Sequence, residues 1–139
     1  MNKVENIGVV GSGTMGNGIA HVFGLSKYKV TLVDLDESIL KQAINTISNN
    51  MERQVKKGLI NENDKDNAMN NISINTDINS LSDSDLIIEA VSENYDIKSK
   101  IFQNLDSACN SKSILASNTS SISISKIAEA TNRPDKVIG

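Results

Sequence analysis

Asn6-Ile7-Gly8-Val9-Val10-Gly11-Ser12-Gly13-Thr14-Met15-Gly16-Asn17-Gly18-Ile19-Ala20 reads as a short apolar strand, a tight turn and the start of a helix. Gly11, Gly13 and Gly16 fit G-x-G-x-x-G. In that pattern the first glycine turns the chain, the second lets backbone approach a pyrophosphate, and the third permits close helix–strand packing. A helix opening near Thr14 aims unpaired N–H groups and the positive end of its dipole at the phosphates, a dipole contribution of roughly 0.3–2 kcal/mol. Alone, the pattern is also compatible with a glycine-rich turn that holds nothing. Its surroundings favour a dinucleotide: Met15, Ile19, Val22 and Phe23 recur at helical spacing, and a second strand, Lys29-Val30-Thr31-Leu32-Val33, runs into Asp34.

An acidic residue about 20 positions after the glycines can accept hydrogen bonds from both hydroxyls of an adenosine ribose. A 2′-phosphate there would stand a few ångströms from a like charge, a repulsion on the order of a few kcal/mol even in a partly screened site. Asp34 therefore favours NAD(H) over NADP(H). The simpler reading is that Asp34 and Asp36 end a strand and cap the next helix, a role Asp36 suits better.

A chain of 139 residues fits one domain, able to bury roughly two-thirds of its unfolded surface without metals or disulfides. Cys109 is the only cysteine, which excludes an internal disulfide and speaks against a cysteine-rich metal site and secretion. It closes a helix stripe and is most simply structural. The net charge of −3 speaks against nucleic acid as a partner. No apolar run approaches the roughly 20 residues of a membrane span, and no signal-peptide layout opens the chain. The expected location is the cytoplasm, with no membrane partner and no metal.

After Asp34, Leu40, Ile44, Ile47, Met51 and Val55 mark one face of a helix of about five turns. Gly58 ends it, and Asn61 can cap a second helix running to about Asn70, so a helical hairpin is expected between strands two and three. Arg53, Lys56 and Lys57 cluster on the first helix's last turns. There they complement its dipole or hold an anionic ligand. Asn71 to Asn75 is a weak third strand, followed by a polar turn through Asp77 to Asp85 without a strong helix pattern. Leu86 to Val91 is a clear buried strand that Glu89 interrupts. An unpaired buried carboxylate is costly, so Glu89 is expected near the strand's C-terminal end, where open α/β sheets bind ligands. A helix follows with stripe Ile97, Ile101, Phe102, Leu105 and Cys109 and with Asn94 as cap. By spacing alone Glu93 and Lys98 at its start read as a solvated surface pair. Ser113 to Ser117 is the fifth strand. The small polar side chains of Asn118, Thr119, Ser120 and Ser121 beyond it suit either ligand contacts or turns and caps. Ser123 can cap a short helix, Ile124 to Ala130, before Arg133-Pro134-Asp135 turns the chain into a last strand. The alternation predicts an α/β fold: a doubly wound parallel sheet of the Rossmann type, in order 3-2-1-4-5-6.

The glycine stretch, Val33-Asp34, Glu89-Ala90-Val91-Ser92-Glu93, Lys98, Ala116-Ser117-Asn118-Thr119-Ser120-Ser121 and Arg133-Pro134-Asp135-Lys136 together resemble the NAD-binding domain of the short-chain 3-hydroxyacyl-CoA dehydrogenases, in particular the bacterial 3-hydroxybutyryl-CoA dehydrogenases. The likeness runs the length of the chain. It implies that the Gly11-to-Gly16 turn, through Ser12, Gly13, Thr14 and Met15, holds the pyrophosphate and that Asp34 holds the adenosine ribose. Glu93, Lys98 and Asn118 are implied at the nicotinamide half, with Ala90 and Val91 also against the cofactor. Ser120 is implied to face both nicotinamide and the substrate's 3-oxygen, orienting the hydroxyacyl group. Lys57, with Arg53 and Asn50, is implied to contact CoA.

In the family a neutral histidine takes the proton from the 3-hydroxyl while C3 gives a hydride to nicotinamide. That histidine belongs to a His-Phe-x-Asn-Pro-like segment expected shortly beyond Gly139. The all-helical second domain, which closes over the acyl-CoA and carries most dimer contacts, is likewise expected outside residues 1–139, so the chain reads as a fragment that binds cofactor without useful turnover. His21, within the first helix, is expected to be structural or superficial. Two other functions fit the glycine signature: a β-hydroxyacid dehydrogenase acting on free acids, and an NAD(H)-binding sensor or interaction module that never catalyses.

Overall fold

The computed structural model describes residues 4–91, 93–119 and 122–139. Strands β1 (Asn6–Val10), β2 (Lys29–Val33), β3 (Ile72–Asn75), β4 (Leu86–Glu89), β5 (Ile114–Ser117) and β6 (Val137–Ile138) alternate with helices α1 (Thr14–Leu25), α2 (Glu37–Lys56), α3 (Glu62–Asn71), α4 (Tyr95–Ala108) and α5 (Ile124–Glu129). All strand pairs are parallel, in the order β3-β2-β1-β4-β5-β6. The winding reverses between β1 and β4, so a crevice opens there at the strands' C-terminal ends.

Side chains alternate across the sheet. Ile7, Val9, Val30 and Leu32 pack against Ala20 of α1, Leu40, Ala43, Ile47 and Met51 of α2, and Ala68 of α3. Val10, Val33, Ile87 and Leu115 face Phe102 and Leu105 of α4 and Ile127 of α5. The two helices between β2 and β3 form where the sequence places them. Asp36 accepts from the Ser38 amide at 2.8 Å to start α2, Gly58 ends it at φ +74°, and Asn61 and Asp64 cap α3 reciprocally. Lys65 and Glu52, 2.8 Å apart, tie α3 to α2.

Several details differ from the sequence reading. The buried face of α1 is Gly16, Asn17, Ala20 and Gly24, while Met15 and Val22 are more than half exposed. The helix lies too close to the sheet for larger groups: a Cβ on Gly24 would stand 2.7 Å from Ile72 Cδ1. Ile97 also leaves the core and is 47% exposed on a cleft. Strand β4 stops at Glu89, two residues short of Val91. The polar stretch after β3 contains a 3-10 turn, Ile78–Leu81, whose Leu81 is fully buried.

Arg133 does more than open a turn. It lies buried with Nε on Asp106 Oδ1 at 2.6 Å, Nη1 on the carbonyls of Asn110 and Ser113, and Nη2 on those of Asp106 and Cys109. The planar fork thereby satisfies carbonyls left over where α4 ends. Beside it, burial pushes the Cys109 thiol up to about 11 against the opposing pull of Arg133. At pH 8 a thiol reagent should therefore label the native chain about 100-fold more slowly than the urea-unfolded one, because the thiolate is the nucleophile. Equal rates would mean that Cys109 is not buried.

Candidate functional site

Each glycine of the turn has a separate task in the structure. Gly11 sits at φ +101°, and a Cβ there would meet the Ala90 carbonyl oxygen at 2.7 Å. Only glycine tolerates both conditions. A Cβ on Gly16 would overlap the Gly11 carbonyl oxygen, which seats α1 on the end of β1. Gly13, by contrast, would meet no protein atom within 4 Å. It is also the N-cap of α1 and supplies no side-chain cap, so the helix's first amides open onto space that Gly13 leaves clear. That cradle fits a pyrophosphate, with Ser12, Thr14 and Met15 around it.

Asp34 stands at the end of β2 beside the turn. Its Oδ2 accepts from the Ser12 amide at 2.9 Å and the Ser12 hydroxyl at 2.7 Å, while Oδ1 accepts from the Leu35 amide at 2.7 Å. The carboxylate is partly exposed and keeps lone pairs for further donors. It borders a mostly apolar cleft of about 590 Å³, lined by Val33, Leu35, Ile78, Val91, Ile97 and Ile101 among others. Ile97, Lys100, Ile101 and Asn104 line it from successive turns of α4, a spacing of three and four residues that puts them on one face. A flat aromatic base with its ribose toward Asp34 matches this shape.

On the other side of the turn, Glu89 and Lys98 are wholly buried with their charged atoms 2.6 Å apart. This corrects the surface-pair reading: α4 carries Lys98 inward under the crevice, and only Glu93 reaches solvent, with a side chain 38% exposed. The ammonium donates to Glu89 Oε2 and to the Val91 carbonyl at 3.2 Å, and it stands 3.3 Å from Glu93 Oε1 as an ion pair. Glu89 in turn accepts from the Val91 amide at 2.7 Å and the Ser117 hydroxyl at 2.6 Å, and its backbone carbonyl accepts from the Asn118 amide at 2.8 Å. Thr119 donates to Glu93 Oε2 at 2.8 Å, linking the loop after β5 to the loop after β4. Ala90 donates its amide to Val10, beside the glycine turn. The structure thus brings Ala90, Val91, Glu93, Lys98 and Asn118 together around the crevice. Ser120 lies outside the described residues, as do Ser92 and Ser121.

A second groove of about 390 Å³ runs between α1 and α2 from Ser12 and Thr14, past Asn17 and His21, to Thr46 and Asn50. Asn50 accepts from Arg53 at 3.3 Å, but Arg53 and Lys57 do not line the groove. His21 bonds Gln54 at 2.7 Å and joins α1 to α2, a structural position. Glu89's role as a hub, with Ser117 beneath it, was not legible in the spacing. The available signal was the carboxylate itself, since a charge inside an apolar strand requires a buried cation somewhere. Among the described residues no group of three metal-binding side chains occurs, and no helix is long and apolar enough to cross a membrane.

Comparison with known proteins identifies the family. The family described as "3-hydroxyacyl-CoA dehydrogenase, NAD binding domain" matches residues 6–139. The 3-hydroxybutyryl-CoA dehydrogenase of Bradyrhizobium diazoefficiens is 42% identical over 136 residues, covering 98% of this chain and 46% of that protein. That of Mycobacterium tuberculosis is 42% identical over 139 residues, covering 99% and 49%. The crystal structure of (S)-3-hydroxybutyryl-CoA dehydrogenase from Ralstonia eutropha superposes with a TM-score of 0.95 at 38% identity, covering 97% of this chain and 48% of that one. The chain therefore spans about half the length of the curated relatives it matches. Matching from Asn6 onward, it belongs to the 3-hydroxyacyl-CoA dehydrogenase family as that family's NAD-binding domain, with NAD as its cofactor.

Proposed function

We propose that this chain is the cofactor half of an enzyme interconverting 3-hydroxyacyl-CoA and 3-oxoacyl-CoA, with the four-carbon pair 3-hydroxybutyryl-CoA and acetoacetyl-CoA as substrates. The observation that carries this reading is the uncapped N-terminus of α1 opening onto the empty side of Gly13, between the Asp34 cleft and the Glu89–Lys98 pair. In it the α1 amides and Ser12 hold the pyrophosphate, Asp34 the ribose, and Val91, Glu93 and Asn118 the nicotinamide end. Bound NAD supplies the hydride acceptor. Ser120 orients the substrate oxygen, and Asn50, with Arg53 and Lys57, meets the CoA at the mouth of the α1–α2 groove.

The only histidine in the sequence, His21, is engaged with Gln54 and is not the base. The reading therefore assigns the general base, the helical second domain and a homodimer contact to a full-length protein, in the cytoplasm and without nucleic-acid or membrane partners. Without a base, proton transfer loses roughly 10²–10⁴-fold.

The test is a fluorescence titration of the 139-residue chain with NADH and NADPH, with acetoacetyl-CoA and acetoacetate as competing additions. NADH should bind, NADPH should bind at least about tenfold more weakly because of Asp34, and acetoacetyl-CoA should perturb the complex where acetoacetate does not. Oxidation of NADH should stay near background. Equal binding of the two cofactors would remove Asp34 from the ribose site. An effect of acetoacetate alone would favour a dehydrogenase of free hydroxy acids.

A further inference from the structure

Among the groups close to the crevice, Glu89 makes contacts that no cofactor role explains. It is fully buried, so it touches no ligand, yet it holds each segment proposed to meet the nicotinamide end. Its Oε2 fixes the Val91 amide and the Lys98 ammonium, and Lys98 passes the constraint on to the Val91 carbonyl and to Glu93. Its Oε1 fixes Ser117 at the end of β5, and its carbonyl fixes Asn118 one residue later. The Ala90 amide on the Val10 carbonyl and the Asn118 amide on the Glu89 backbone carbonyl carry the ladder one residue past each strand, and beyond Ala90 the carboxylate takes over by holding the Val91 amide.

We propose that Glu89 is a positioning residue. From beneath the crevice its side chain sets Val91, Ser117 and, through Lys98, Glu93 in the geometry that receives the nicotinamide half of NAD. Lys98 is the counterpart from the other side: its side chain is 0% exposed and its ammonium donates to Glu89 and to the Val91 carbonyl. By contrast the adenosine half depends on Asp34, the glycine turn and Ile97, Lys100, Ile101 and Asn104 of α4, none of which the Glu89 side chain bonds, and it shares only Val91 with the residues Glu89 holds. The proposal rests on the functional reading above for which half of the cofactor lies where.

The experiment separates the two halves of the ligand. Dissociation constants for NADH and for ADP-ribose, which lacks nicotinamide, are measured on the 139-residue chain and on Glu89→Gln, with thermal melts alongside. Glutamine keeps the size and can still accept from Val91, but it cannot balance the Lys98 charge. Expected is a loss of about tenfold or more in NADH affinity with ADP-ribose affinity within about twofold of the starting value. If Glu89→Gln does not fold, Ser117→Ala removes only the bond to Oε1 and should shift the same ratio in the same direction by about threefold. A role in stability alone would lower the melting temperature and leave the NADH to ADP-ribose ratio unchanged, and an unchanged ratio in the folded variant overturns the proposal. Failure of the unsubstituted chain to bind NADH would instead overturn the functional reading, so the two failures are distinct.

Discussion

Gly16→Ala should cost the fold about 3 kcal/mol, lower the melting temperature by roughly 10 °C and abolish measurable NADH binding. The added methyl would overlap the carbonyl oxygen of Gly11. Both atoms belong to backbone, one in α1 and one in the turn, so no side-chain rotation relieves the clash and the helix must lift off β1. Lifting it separates the α1 amides from the turn that aims them, which is why binding fails along with stability. Gly13→Ala is the internal control. Its backbone, φ −67° and ψ −168°, suits any residue, and its Cβ would meet no protein atom within 4 Å. The variant should melt within about 2 °C of the original chain, yet bind NADH at least about tenfold more weakly, because the methyl would occupy the space left for the pyrophosphate. Urea or thermal melts and a fluorescence titration on both variants decide the matter. A Gly16→Ala chain with ordinary stability would mean that α1 is not seated on the turn, and a Gly13→Ala chain with full affinity would mean that the phosphates pass elsewhere.

The contrast between these glycines shows which physics a single sequence carries. Caps at Asp36, Asn61, Asn94 and Ser123 are decided within three residues, so the sequence displays them, and each makes its bond in the structure. The strand order follows from alternating elements and right-handed crossovers and was equally legible. The face of α1 was not, because apolar bulk at Met15 and Val22 outweighed the small residues at Gly16, Ala20 and Gly24 that let the helix approach the sheet. Long-range polar choices were hidden for a different reason. Apart from Asp106, Arg133 finds its partners among backbone carbonyls, which every residue has, so no pattern of side chains announces them. Lys98 looked like half of a surface pair with Glu93 because spacing does not reveal that helix α4 turns it toward the end of β4.

That turn inward makes Lys98→Met the second large effect. The substitution keeps length and flexibility but removes the cation from a carboxylate that is 0% exposed. Breaking a buried ion pair from one side commonly costs about 3–5 kcal/mol, since the remaining charge has lost its counter-charge and cannot reach water. Against a domain stability of roughly 5–15 kcal/mol this leaves the chain close to unfolding. Ser117 and the Val91 amide still bond Glu89, so the loss should fall toward the lower end of the range. Removing the second charge as well reverses the argument. In the double variant Glu89→Gln, Lys98→Met the glutamine oxygen can take the Val91 amide while its NH₂ faces Ser117, and the methionine fills the lysine's path with apolar surface. Urea melts should then show the double variant recovering at least half of what Lys98→Met lost, because paired removal of buried charges is often neutral or favourable. If the double variant is as unstable as the single one, the stabilising feature is the lysine's contact with the Val91 carbonyl and Glu93, not its pairing with Glu89. If the single variant loses less than about 1 kcal/mol, as an exposed pair would, then Lys98 is not buried at the base of the crevice.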